Sequence, residues 1–180
     1  MLPHLRNINL KEWIDTNRDQ WSRGPGRLKL IWENSDYLTF VSSEPTTELQ
    51  FHRNPGDEIF YQVEGQLDLH HIASDGERKI AVLRPGDLFL LTANVPHSPR
   101  RADPDHSWTL VVTRRRRPGE TDRWAWFCER CNHKLYETSF ESTGPGAAAA
   151  KARDEAKTVL RKNEQLRTCS KCDEVLPAPL

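Results

Sequence analysis

The sequence has no candidate membrane span: no stretch approaches the roughly 18 consecutive apolar residues that a crossing helix needs. Met1-Leu2-Pro3-His4-Leu5-Arg6-Asn7 also lacks the apolar core of a secretory signal. The expectation is a cytoplasmic protein without a membrane partner. Neither sign of charge is in excess, because 26 Lys and Arg offset 26 Asp and Glu in 180 residues. A general electrostatic grip on nucleic acid or anionic lipid is thereby disfavoured, and partners must be sought at local sites. Cysteine is scarce, and its four copies occur only as two Cys-x-x-Cys pairs, a pattern that favours metal binding over a disulfide framework. Hydrophobic residues make up only 36%, yet six Trp and six Phe are among them, which allows a compact, aromatic-rich core under a charged surface. The length suits one main domain with a small appendage.

Residues 9–20 are predicted as an amphipathic helix, with Asn9 as its cap, Glu12 three residues on, and Leu10, Trp13 and Ile14 as the apolar stripe. Gly24-Pro25-Gly26 ends it. The pattern then changes to short segments rich in β-branched and aromatic residues: 28–32, 37–43, 48–51, 59–64, 66–72, 78–83, 88–92 and 108–114. Turn residues at Asn34-Ser35-Asp36, Asn54-Pro55-Gly56-Asp57, Gly65, Asp75-Gly76 and Pro85-Gly86-Asp87 separate them, which is the spacing of a mainly β sandwich or barrel. The basic run and Pro118-Gly119 predict a boundary, dividing a barrel with its N-terminal helix (1–118) from a C-terminal metal-binding extension (119–180). Within the extension, 147–167 is predicted as an exposed alanine-rich helix after the Gly144-Pro145-Gly146 break.

The chemistry concentrates in two stretches. His52 ends one strand and Glu58 opens the next across a tight turn, so a hairpin brings imidazole and carboxylate together. The stretch from Arg84 to His97 delivers a second histidine just after a buried-looking strand. Two imidazoles and one carboxylate on a rigid sheet make a facial triad with positions left for substrate and O2. The adjacent His70 and His71 point to opposite faces of a strand and are read as structural.

Cys128-Glu129-Arg130-Cys131 and Cys169-Ser170-Lys171-Cys172 each form a metal knuckle, together supplying four thiolates for a structural Zn or Fe. Asn132 and Asp173, directly after each knuckle, are types that tolerate left-handed backbone. Arg114-Arg115-Arg116-Arg117 beside such a module admits a nucleic-acid-binding regulator. Four successive arginines more commonly form a solvated edge.

The pattern H-x5-E-x6-G, followed by P-G-D and P-H, resembles the two motifs of the cupin superfamily, which implies a small β-barrel (double-stranded β-helix, or jelly roll). Cupins commonly carry His-x-His, and Gln50 stands at the first of those positions. Along most of its length the chain resembles bacterial 3-hydroxyanthranilate 3,4-dioxygenase. The resemblance runs through Asn9–Ile14, Glu58–Gly65, Gly86–Leu91, Val95–Arg101, Trp124–Cys131 and Leu166–Cys172. It implies Fe(II) on His52, Glu58 and His97, O2 as cosubstrate, and a small aromatic substrate whose adjacent hydroxyl and amino groups chelate the iron. It also implies a rubredoxin-like or zinc-ribbon-like second metal site and a homodimer. Arg101 would clamp a substrate carboxylate. The family carries an arginine where this sequence has Glu48, an aspartate where it has Gln50, and a substrate-facing glutamate at the position of Thr113. These departures imply an altered substrate pocket, since a carboxylate there repels a carboxylate substrate. A non-catalytic cupin that binds a small ligand is the competing expectation.

Overall fold

The computed structural model describes residues 7–21, 27–33, 35–44, 49–142 and 146–179. Helix α1 (Leu10–Trp21) begins where the Asn9 side chain accepts the Glu12 backbone N–H at 3.1 Å, as a capping asparagine should. Among the described residues nine strands follow up to residue 114: β1 (Leu28–Trp32), β2 (Tyr37–Ser42), β3 (Gln50–Arg53), β4 (Glu58–Glu64), β5 (Leu67–Ile72), β6 (Arg78–Leu83), β7 (Leu88–Leu91), β8 (His97–Arg100) and β9 (Trp108–Arg114). Strands β10 (Thr121–Phe127) and β11 (Lys134–Glu141) precede helix α2 (Ala147–Lys162).

The strands form two sheets, ordered β1-β2-β9-β4-β7 and β11-β10-β3-β8-β5-β6, in the two-sheet cupin arrangement. Alternation along β4 and β9 turns Phe60 and Val111 into the space between the sheets. There they meet Leu38, Phe40, Leu67, Leu69, Leu83 and Leu91 in the main core. Outside the first sheet, Ile14 of α1 is buried against Val41 and Trp108, with Leu10 and Trp13 beside it, so the predicted stripe is the docking face.

Three differences from the sequence expectation have physical causes. β8 carries Pro99, which lacks a ladder N–H, and lies directly after Pro96, so its four residues read as loop although they pair with both β3 and β5. The sheet does not stop at 118. β10 pairs with β3 (Trp124↔His52, Trp126↔Gln50) and with β11, so residues 121–141 extend the barrel sheet. The α2 helix ends at Lys162, short of 167, because extended Asn163 breaks it and its side chain caps a 3-10 turn at Glu164–Leu166. Ala156 and Leu160 of α2 bury Trp126. The Gly24-Pro25-Gly26 and Gly144-Pro145 breaks and Asn34 lie outside the described residues.

Gly65 closes the β4–β5 turn at φ +68°, and a Cβ there would sit 2.0 Å from the His106 carbonyl oxygen. Gly65→Ala must therefore move backbone as well as adopt a left-handed conformation. A loss of about 2 kcal/mol or more is expected in urea unfolding.

Candidate metal centre

The centre is assembled by strand pairing and by two turns tied to each other. His52 on β3 is the register partner of His97, the first residue of β8, while Glu58 opens β4 between Leu91 and Thr113. In the turn between His52 and Glu58, the Asn54 side chain accepts the Gly56 N–H at 2.7 Å. That turn then grips the loop before His97. Asn94 N–H donates to the Asn54 carbonyl and Ala93 N–H to the Asp57 carboxylate, both at 2.7 Å. One network of short turns thus holds all three side chains.

His97 and Glu58 are 3% and 4% exposed, and His97 Nε2 lies 3.0 Å from Glu58 Oε2. His97 Nδ1 lies 3.1 Å from the Val95 carbonyl. A carbonyl only accepts, so Nδ1 carries the proton and Nε2 presents a lone pair to the carboxylate unless it too is protonated. The 3.0 Å contact is an ion-pair distance without hydrogen-bond direction, and Glu58 Oε2 has no hydrogen-bond partner. A cation is needed where these groups converge. Burial alone would push the Glu58 carboxyl up, but the charge of His97, with those of His52 and Arg116, holds it below the usual range. Burial likewise presses on the His97 imidazolium, and the Glu58 charge outweighs it, raising its pKa. Protonated, the pair is an imidazolium–carboxylate couple. A divalent ion can replace that proton.

The donor atoms of His52, Glu58 and His97 lie within 4.8 Å of one another. Two ligands about 2.1 Å from one ion on adjacent octahedral corners stand about 3.0 Å apart, so the His97–Glu58 spacing fits a shared metal. The His52 ring sits 5.4 Å from His97 and 4.8 Å from Trp124, centroid to centroid.

Gln50, on the same strand face as His52, is buried with Oε1 lacking a partner. Thr113 is buried and donates to the Asp57 carbonyl at 2.9 Å, bracing the turn before Glu58. Arg101 is 8% exposed and donates to the carbonyls of Ser42 and Glu44 and, at 2.8 Å, to the Thr109 hydroxyl, while its Nε is unpartnered. Burial lowers its pKa to about 10 against the pull of Glu44. Glu48 lies outside the described residues.

The cysteine sulfurs converge as expected, with Cys128–Cys172 at 3.6 Å, Cys131–Cys169 at 3.4 Å and Cys131–Cys172 at 3.5 Å. Sulfurs about 2.3 Å from a tetrahedral ion stand about 3.8 Å apart, so these free thiols fit one metal. The two knuckles repeat each other: Asn132 N–H returns to the Cys128 carbonyl and Asp173 N–H to the Cys169 carbonyl. Asn132 and Asp173 take φ of 58° and 60°, the left-handed backbone their residue types allow.

Three of the four arginines in the run are not a solvated edge. Arg114 grips both carboxylate oxygens of Glu120, Arg115 donates to the carbonyls of Ser35 and Glu33, and Arg116 forks onto buried Asp122. With three guanidinium groups engaged internally, the run offers little to a phosphate backbone. His71 faces Phe89, and burial together with Arg100 and Arg78 lowers the His70 pKa. Neither histidine belongs to the triad's donor cluster. One residue at the site was not anticipated: Asp122 Oδ2 lies 3.7 Å from His52 Nε2. Its signal was the alternation Asp122, Trp124, Trp126, which puts an acid on the same face as two tryptophans.

Two imidazoles and a carboxylate gathered inside a barrel of this topology make a cupin-like protein with a site that could hold a metal, beside a second cluster of four cysteines. Residues 2–152 match the family model of 3-hydroxyanthranilic acid dioxygenase. The 3-hydroxyanthranilate 3,4-dioxygenase of Bacillus cereus is 32% identical over 173 residues, 96% of this chain and 93% of that protein. That of Xanthomonas campestris pv. campestris is 34% identical over 172 residues, with the same coverage of both chains. The chain belongs to the 3-hydroxyanthranilate 3,4-dioxygenase family. Matches among solved structures include a protein with a double-stranded β-helix domain from Klebsiella pneumoniae subsp. pneumoniae. It aligns with 62% of this chain and 90% of that one, at 17% identity and a TM-score of 0.45. No helix among the described residues is long and apolar enough to cross a membrane.

Cys169 is fully buried, and replacing it with serine removes one of the four clustered thiols that could hold a metal. Cys169→Ser is expected to lose about one metal ion per chain in elemental analysis and to lower the thermal midpoint, leaving metal at the histidine site.

Proposed function

We propose that this chain is a non-haem Fe(II) dioxygenase that uses O2 to open an aromatic ring carrying adjacent hydroxyl and amino groups, or two hydroxyls. The observation that carries the reading is the buried contact of His97 Nε2 with the partnerless Glu58 Oε2 beside His52, in a chain of this family. His52, Glu58 and His97 would hold the iron as two imidazoles and one carboxylate, and the four cysteines a second Fe or Zn. Bound iron supplies a Lewis-acidic, redox-active template on which a chelating aromatic and O2 can meet.

The chain's own residues supply the rest. The barrel interior is layered along β4 and β9: Glu58 and Thr113 at the metal level, Phe60 and Val111 next, and Gln62 with Thr109 beyond. Four residues of strand separate the first level from the last, about 13 Å of backbone. Thr109 holds Arg101, placing a buried cation at the far level, with Gln50 and the apolar residues between to position a ring and exclude water. Thr109 in turn donates to Gln62 at 2.6 Å, and Gln62 donates to Ser107 at 3.1 Å, which fixes the guanidinium's support. Arg101 suits an anionic substituent, whereas the sequence puts the negative charge of Glu48 where the family carries a second arginine. We therefore expect a substrate with a weaker need for a carboxylate clamp than 3-hydroxyanthranilate.

Anaerobic loading with Fe(II), followed by an oxygen-uptake screen over ortho-aminophenols and catechols, tests the class and the pocket together. Uptake is expected with such chelating aromatics and to be poor with 3-hydroxyanthranilate. Efficient turnover of 3-hydroxyanthranilate would overturn the altered pocket, and no uptake with any chelating aromatic would overturn the enzyme class. Arg101→Gln is expected to raise KM about 10- to 100-fold for a carboxylate-bearing substrate, and far less for an uncharged one.

A further inference from the structure

We infer that Asp122, pinned by Arg116, is the positioning residue of the His52 imidazole, the group that decides how this metal-facing ring is turned. The inference rests on reading His52, Glu58 and His97 as the metal site.

The two imidazoles are held differently. His97 is locked by its own backbone, through Nδ1 and the Val95 carbonyl at 3.1 Å. Among the described residues no hydrogen bond holds the His52 ring. Its packing confines the ring plane, with Trp124 on one side at 4.8 Å and 40° and His97 at 5.4 Å and 67°. Packing alone cannot fix the rotation, because the nitrogen and carbon edges of an imidazole are nearly the same size. A charge can distinguish them. Among the described residues, the carboxylate within ion-pair distance of the His52 ring is Asp122, with Oδ2 3.7 Å from Nε2.

That carboxylate is itself held through both oxygens. β10 pairs with β3 so that Trp124 faces His52, and Asp122 stands one pleat along on the same side. It is 2% exposed, and Arg116 grips it from Nε to Oδ1 at 2.6 Å and from Nη2 to Oδ2 at 3.2 Å. Arg116 is anchored in turn by donating from Nη1 to the Arg114 carbonyl at 3.1 Å. A buried ion pair of this kind is expensive to desolvate and adds little stability over a packed apolar pair, so its position beside a metal-facing imidazole calls for a further role. Carboxylates that take up the ring nitrogen a metal leaves free are a common device, and removing one typically weakens metal binding about 10- to 100-fold; with Asp122 at Nε2, the lone pair for a metal is left on Nδ1.

The test is Co(II) binding to the whole chain with metal already in the cysteine module, comparing wild type, Asp122→Asn and Arg116→Lys by calorimetry and the visible Co(II) spectrum. Asp122→Asn keeps the side chain's shape and is expected to bind Co(II) at the triad about tenfold or more weakly, with an altered ligand-field spectrum. Arg116→Lys keeps the buried charge but loses the fork, and should shift both readouts less. Retention of the thiolate metal in the same samples reports that the fold is intact. If wild type binds Co(II) and Asp122→Asn matches it in affinity and spectrum, the positioning role is overturned while the metal site stands. If wild type takes up no Co(II) beyond the cysteine module, the metal reading falls and takes the inference with it.

Discussion

The interaction on which the rest of the centre depends is the 3.0 Å approach of His97 Nε2 to Glu58 Oε2 inside the barrel. Two buried groups that are both electron-rich at their facing atoms cannot rest so close without a cation between or beside them. A proton satisfies the requirement in the metal-free pair, and a divalent metal satisfies it while drawing in His52 as well. The surrounding structure prevents the alternative, which is to let the groups separate. The Asn54–Asn94 and Asp57–Ala93 hydrogen bonds tie the two turns, and the Val95 carbonyl locks the imidazole. The barrel therefore holds these groups together at a place where a proton or a metal ion can complete the charge balance.

The thiolate module is tied to this barrel through both packing and charge. β10 carries Trp124 against His52 and ends at Phe127, immediately before Cys128, so a single strand leads from the histidine–glutamate cluster to the cysteine cluster. Trp124 also donates its indole N–H to the Ala149 carbonyl at 3.0 Å, bringing the start of α2 to the same wall. On the opposite face of the sheet, Glu129 of the first knuckle binds Arg78 at 2.7 Å and lies 3.9 Å from Arg100. Both guanidinium groups rest over the ring of Phe51, the neighbour of His52. Ordering of the knuckle by its own metal would thus steady the strand that presents His52, a structural role consistent with four ligands and no vacancy.

Residues with strong local chemistry were legible from the order of the chain. His52, Glu58 and His97 stand beside turn residues that need particular backbone shapes, and the cysteine pairs have a spacing set by a single knuckle. The Asn9 cap and the Leu10, Trp13 and Ile14 stripe were readable for the same reason, because helix signals repeat within a few residues. β8 and β10 were not, since a proline-containing strand and a strand beyond an apparent boundary are defined by their partners. The arginine run misled for a related cause. Read alone it is a cationic edge, yet Glu120, Asp122 and the Ser35 and Glu33 carbonyls engage the guanidinium groups of Arg114, Arg115 and Arg116.

By itself, then, the sequence determined which residue types gather in the two clusters, the β-rich architecture and the family, because residue spacing, turn geometry and alternation are carried by neighbouring residues. Only the tertiary structure decided that His97 and Glu58 share a charge, that Arg101 is buried among neutral oxygens, and that Asp122 stands beside His52. Those facts depend on pairings between residues 39, 8 and 70 positions apart, through His97–Glu58, Arg101–Thr109 and His52–Asp122. Electrostatics acts through the space between side chains, and the order of residues along the chain does not specify that space.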